Sequence, residues 1–204
     1  MSNDSFSTIL SIGIVPFDFD ENPTIEELRE RSLFYKFDSK DQIINYGTTT
    51  DKEVIEWWKK QSPENLKNSF YPNPEVDVKI KDVWHDMVKW VDDRTEIFKS
   101  RMFWQRGCFE QHILQGVNKL IGNTTEERID HGYFAQWSDV RTALRLMYGS
   151  DYDSIRSKYY GKIIVDYPGW YDGVGDQFEK HNPIDDCIID ICLLLYGRAP
   201  DHEE

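Results

Sequence analysis

The change of hydrophobic period along this chain constrains its fold more than any other feature. Two short, apolar, β-branched stretches come first, TILSIGIVPFD (8–18) and SLFYKFD (32–38). Branching at Cβ restricts χ1 and favours extended backbone, so both read as strands. The turn-rich DFDENP after the first favours a hairpin between them. From residue 48 onward the period lengthens to that of a helix. TTTDKEVIEWWKKQSPE (48–64) holds a short helix, with a threonine as N-cap, Glu53 in its first turns and Ser62-Pro63 as its stop. VDVKIKDVWHDMVKWVDDRTEIF (76–98) places Val83, Trp84, Met87, Val88 and Val91 on one helical face. RMFWQRG (101–107) reads as a strand and CFEQHILQGVNKLIG (108–122) as a helix closed by Gly122. SDVRTALRLMYG (138–149) reads as a helix begun by Ser138 or Asp139, and a last helix covers about 184–197. YPNPE (71–75) is a linker loop, and residues 151–180 are loop-rich and aromatic. Strands first, then strands interleaved with helices, specify an α/β fold with a mixed sheet flanked by helices.

A length of 204 residues suits a single domain over 1–204. No apolar run approaches the eighteen or so residues of a membrane span, so no membrane contact is expected. MSNDSFSTIL lacks the basic stretch and long apolar core of a secretory signal. The three cysteines, Cys108, Cys187 and Cys192, match no zinc-binding spacing and read as reduced core thiols of a cytoplasmic protein. A net charge of −13 argues against a general polyanion-binding surface. It leaves a nuclease open, because carboxylates loaded with divalent metal become locally positive. It also leaves open an acidic decoy that imitates DNA, which would need its acidic residues on one contiguous face.

The stretch HNPIDDCIIDIC (181–192) sets His181 five positions ahead of Asp186, at the start of an apolar-periodic helix. Alone, the pair is as consistent with a solvated helix rim as with a catalytic site. Three further stretches stand in order before it: ILSIGIVPFD (9–18), VIEWWKKQSPE (54–64), and FWQRGCFEQHIL (103–114) with SDVRTA (138–143). Together the four resemble the DexA-type 3′–5′ exonucleases of tailed phages. Those enzymes are close to the RNase T-like exoribonucleases and belong to the DnaQ-like, DEDDh group with a ribonuclease H-like fold. The resemblance implies four carboxylates and a histidine, two Mg²⁺ or Mn²⁺ ions, and a nucleic-acid 3′ end, DNA or RNA, as partner. Hard cations take oxygen ligands, and a metal pair clamps the scissile phosphate.

Carried over, His181 is the general base and Asp186 a metal ligand. Asp185 points elsewhere on the helix, and Asp190, one turn further, at most supports a ligand. Glu110 stands where the family has an aspartate, and aligning it requires a one-residue deletion after Arg106-Gly107. Its extra methylene moves the carboxylate by more than the roughly 0.5 Å that catalytic geometry tolerates. Two readings of Glu110 therefore stand, a shifted metal ligand or a structural residue. The family's first motif, D-x-E, would fall upstream of Met1. Either the start is assigned late, or the chain is a shortened relative lacking the first strand. That strand is central in such a fold, and losing it would leave buried backbone groups unpaired at about 1–3 kcal/mol each, which favours the late start. With only His181, Asp186 and Glu110 of the five family residues present, the polypeptide is expected to show little or no nuclease activity. The alternative is a catalytically dead relative that binds a nucleic-acid end or a host protein.

Outside these motifs, Trp57 and Trp58 suit either base stacking, at about 1–3 kcal/mol per base, or packing. Arg106 suits either a bidentate phosphate contact or a surface ion pair. Asp139 is placed to cap its helix, and His85 and His112 read as surface residues.

Overall fold

The computed structural model describes residues 7–98, 102–122, 128–129, 137–148, 178–179 and 181–196. The chain divides into two compact units, one of Met1–Ile12 with Phe34–Ser138 and one of Gly13–Leu33 with Asp139–Glu204. The aromatic stretch 151–177 and His131 lie outside the described residues.

Strand β1 is Ser11–Ile14 and β2 is Leu33–Lys36, and the two pair as expected. Strand β1 is shorter than its apolar stretch for local reasons. Pro16, two residues beyond it, has no N–H to donate. On the other side, Ile9 is paired by a side chain. The Gln42 amide accepts from Ile9 N at 3.0 Å and donates to Ile9 O at 2.8 Å, imitating a neighbouring strand. The connection between β1 and β2 is no simple turn. It contains helix α1, Ile25–Glu30, started by a capping box in which Glu27 N donates to Thr24 Oγ1 and Thr24 N to Glu27 Oε2.

The first unit continues with α2, Ser39–Tyr46, capped by the Asp38 carboxylate and closed by Gly47 at φ +66°. Helix α3, Lys52–Trp58, is capped by Asp51, whose carboxylate accepts from Glu53 N at 2.7 Å. The threonine expected there is engaged elsewhere, since the Thr48 hydroxyl bonds that of Thr8 at 2.8 Å. Ser62-Pro63 does end the region of α3, but it also begins α4, Pro63–Asn65, with the Ser62 hydroxyl as cap. That short helix widens into a π-helical turn over Leu66–Phe70. Lys36 holds its exit: Nζ donates to Tyr71 O at 2.6 Å and Lys67 O at 3.2 Å and pairs with Asp77 at 3.1 Å.

Helix α5, Ile80–Phe98, buries Ile80, Trp84, Met87, Val88 and Val91, leaves Val83 half-buried and exposes His85. Strand β3, Phe103–Gln105, pairs with β4, Trp137–Asp139, and Phe103 stacks on Trp137 at 4.8 Å. Helix α6, Phe109–Leu120, packs on β3 and ends at Ile121 and Gly122, the glycine at φ +73°. The architecture is α/β, and the described strands form two two-stranded sheets, β1 with β2 and β3 with β4.

In the second unit, α8, Pro183–Tyr196, packs against α1 and against α7, Val140–Tyr148. Its core is Ile25, Leu28, Ile188, Ile191 and Cys192, bordered by Val15, Phe17, Phe178, Ile184 and Leu195. Gly13 lets β1 approach the start of α8. A Cβ at that position would lie 2.8 Å from Pro183 Cβ and 2.9 Å from Pro183 carbonyl carbon. Among the described residues no helix is long and apolar enough to cross a membrane.

Candidate active site at the start of the last helix

Asn182 and Pro183 fix where α8 begins. The Asn182 Oδ1 accepts from Ile184 N at 3.0 Å and from Asp185 N at 3.4 Å, satisfying helix-start donors that have no partner within the helix. Pro183 occupies the first helical position, where a missing N–H costs nothing. Asp186, half-buried, closes the first backbone turn through its N–H to Asn182 O at 2.9 Å.

Asp185 is buried and engaged in structure. Its Oδ1 pairs with Arg29 Nη2 at 3.2 Å, and its Oδ2 accepts from Glu179 N at 2.8 Å. Asp190 is buried as well.

His181 stands immediately before the cap and is half-buried. Its φ is +69°, and among the described residues it is the non-glycine residue with a positive φ. The left-handed region crowds Cβ against the carbonyl and costs an L-residue about 1–2 kcal/mol. Such strain persists only where surrounding structure enforces it, and it concentrates at functional sites.

The remaining candidates lie in the first unit. Glu110 is exposed in the first turn of α6, where the helix dipole favours a negative charge. Cys108, the residue before that helix, supplies no side-chain cap, and Gln105 Oε1 instead accepts from Gln111 N at 2.9 Å. Arg106 is half-buried at the junction of β3 and α6, on the same short connection as Glu110. The tryptophans divide. Trp58 is half-buried and stacks on Phe70 at 6.0 Å, while Trp57 is 43% exposed and meets Trp58 edge-on at 5.2 Å. Trp57 lines a shallow depression of about 330 Å³ with Lys52, Glu53, Glu56 and Lys60. Asp139 caps α7, accepting from Arg141 N at 3.1 Å and from the Thr142 hydroxyl at 2.6 Å, which is the structural role anticipated for it. His112 is exposed, like His85.

His181 and Asp186 are thus neighbours at one helix start, and Arg106 and Glu110 at another. Three residues that shape the first of these starts were not singled out from the sequence: Gly13, Arg29 and Asn182. The glycine within a β-branched run and the Asn-Pro pair ahead of an apolar helix were the readable signals. Arg29 left none.

This is an α/β protein with a histidine and a carboxylate set at a capped helix start. Residues 1–164 match the family model described as 3′-5′ exoribonuclease Rv2179c-like domain, and the chain belongs to that family. It is also 28% identical to a protein of Enterobacteria phage T4 named exodeoxyribonuclease, over all of this chain and 91% of that one. No solved structure matches. The phage-type 3′–5′ exonuclease kinship expected from the four stretches therefore holds. The family match takes in Trp57, Trp58, Arg106 and Glu110, and the phage relative extends over His181 and Asp186 as well.

The family resemblance implies divalent metal. Asp186 in one unit and Glu110 in the other each carry the hard oxygen donors that such an ion takes. Among the described residues, no group of three or more His, Cys, Asp or Glu side chains is gathered as a metal site.

Proposed function

We propose that this protein acts on nucleic acid as a 3′–5′ exonuclease of ribonuclease H-like architecture. On this reading His181 is the general base, and Asp186 and Glu110 are the carboxylates for Mg²⁺ or Mn²⁺. The single observation that carries the proposal is the left-handed backbone of His181, one turn ahead of Asp186 in a chain of exonuclease family. A glycine would relieve that strain.

Asp186 and Glu110 would hold the divalent ions, which when bound would supply positive charge to the scissile phosphate and lower the pKa of the attacking water. Histidine, whose unperturbed pKa lies near neutrality, then takes the water's proton. Water adds to phosphorus as the 3′ oxygen leaves, releasing a nucleoside 5′-monophosphate. Arg106, on the Glu110 connection, is suited to a phosphate oxygen. Exposed Trp57 offers a ring face to a base.

The test uses 5′-labelled single strands of DNA and of RNA with Mn²⁺. The expected result is trimming from the 3′ end, abolished by EDTA, His181→Ala or Asp186→Asn. In parallel, fluorescence anisotropy should show strand binding that Mn²⁺ strengthens and Asp186→Asn weakens. Trimming that survives His181→Ala, or binding indifferent to metal and to Asp186, would refute the site.

A further inference from the structure

The strained backbone of His181 needs something to enforce it, and the described contacts point to a source remote in sequence. The segment before His181 is held from α8 and from α1. Glu179 N donates to Asp185 Oδ2 at 2.8 Å, and Asn182 N donates to Glu179 O at 3.1 Å. These two bonds tie Glu179 to Asp185 and to Asn182. A further tie comes from Arg29 of α1. Its guanidinium pairs with Asp185 Oδ1 at 3.2 Å and lies over the Phe178 ring at 5.4 Å. One arginine thus grips both ends of the 178–185 segment, by charge at one and by its planar face at the other. Leu28, beside it in sequence, is fully buried in the core shared by α1 and α8, so the backbone that carries Arg29 is itself fixed.

We propose that Arg29 and Asp185 are positioning residues that hold residue 181 in the left-handed conformation and so aim its imidazole. The catalytic meaning of this rests on the exonuclease reading, but the conformational claim does not. Arg29 touches neither substrate nor metal in this account. It acts through Asp185 and Phe178.

The test is a stability cycle that needs no activity. Glycine tolerates positive φ without penalty. In the otherwise native protein, His181→Gly should shift the folding equilibrium about fivefold toward the native state. In an Arg29→Ala background the segment relaxes, and the same substitution should gain less than twofold. Arg29→Lys keeps charge but loses the planar grip, and should fall between. NMR backbone shifts of residue 181 should leave the left-handed range in Arg29→Ala and stay within it in Arg29→Lys. An equal gain from His181→Gly in both backgrounds, with unmoved shifts, would overturn the proposal. Should Arg29→Ala fail to fold, Asp185→Asn, which keeps the acceptor for Glu179 N, substitutes for it in the same cycle.

The activity arm separates this proposal from the exonuclease reading. Arg29→Ala should lower kcat up to about 100-fold, the effect of misplacing a catalytic group by roughly 1 Å, with KM within about twofold. If trimming is independent of His181 while the stability cycle behaves as stated, the exonuclease reading fails and the positioning stands. If trimming requires His181 but the cycle shows no coupling, the reverse holds.

Discussion

Gly13→Ala is the sharpest perturbation of the scaffold beneath His181 and Asp186. The added methyl would meet Pro183 Cβ at 2.8 Å, Pro183 carbonyl carbon at 2.9 Å and Ile184 Cδ1 at 3.0 Å. Carbon atoms pack favourably at about 3.5–4.0 Å, so the start of α8 would have to move away by something over 0.5 Å. The Ile184 tip can rotate. The proline ring and the backbone behind it cannot. Overpacking of this kind costs about 1–3 kcal/mol. Alanine also removes conformational freedom from the unfolded chain, which returns about 0.4–1 kcal/mol. The net expectation is a loss of about 1–2 kcal/mol. For a chain of this size that lowers Tm by about 2–8 °C. Urea unfolding followed by tryptophan fluorescence, with a thermal melt alongside, reads both quantities. Wild-type stability or better in Gly13→Ala would refute the close approach of β1 to α8, and with it the account of how this helix start is placed.

Lys36→Met should destabilise by about 3–5 kcal/mol in urea, because it strands Asp77 in a buried site where the two side chains are 2% and 7% exposed. Adding Asp77→Asn should recover part of that loss, and a further loss would contradict the pairing. Thiol reagents should modify exposed Cys108 first and half-buried Cys187 later. Cys192, buried and with its thiol pushed up to about 12, should react only on unfolding, so early labelling of Cys192 would contradict the core. The Glu27 carboxyl is held below its usual 4.5, first by the Thr24 backbone N–H and then by the Thr24 side chain. A depressed carboxylate stabilises the fold above its unfolded pKa and stops doing so as pH falls through the folded one. The stability difference between wild type and Glu27→Gln should therefore hold at neutral pH and shrink below pH 4.5, and a difference constant with pH would count against it.

Long amphipathic segments were the legible part of this fold. Helices α5, α6 and α8 fall close to where their apolar periods put them, because several turns of burial outweigh local preference. Helices α1 and α2 are too short to show a period and are defined by their ends. The T-x-x-E box of Thr24 and Glu27, and Asp38 with Gly47, were the available signals. The cap of α3 is Asp51, next in sequence after the three threonines that offered themselves for that role. At the site, the structural engagement of Asp185 followed from helix geometry. The conformation of His181 did not, since it depends on a guanidinium 156 residues from Asp185 in sequence. The two tryptophans could be separated only by tertiary structure, because Phe70, the partner of Trp58, arrives through a π-helical turn that no simple pattern announces.

The central claim is that His181, Asp186 and Glu110 serve hydrolysis at a nucleic-acid 3′ end. Mass spectrometry of the mononucleotides released from a single strand in Mn²⁺, wild type beside His181→Ala, tests it most directly. The account predicts nucleoside 5′-monophosphates, released from the 3′ terminus, and none above background from the variant. Equal release by both proteins, or release beginning at the 5′ terminus, would contradict it.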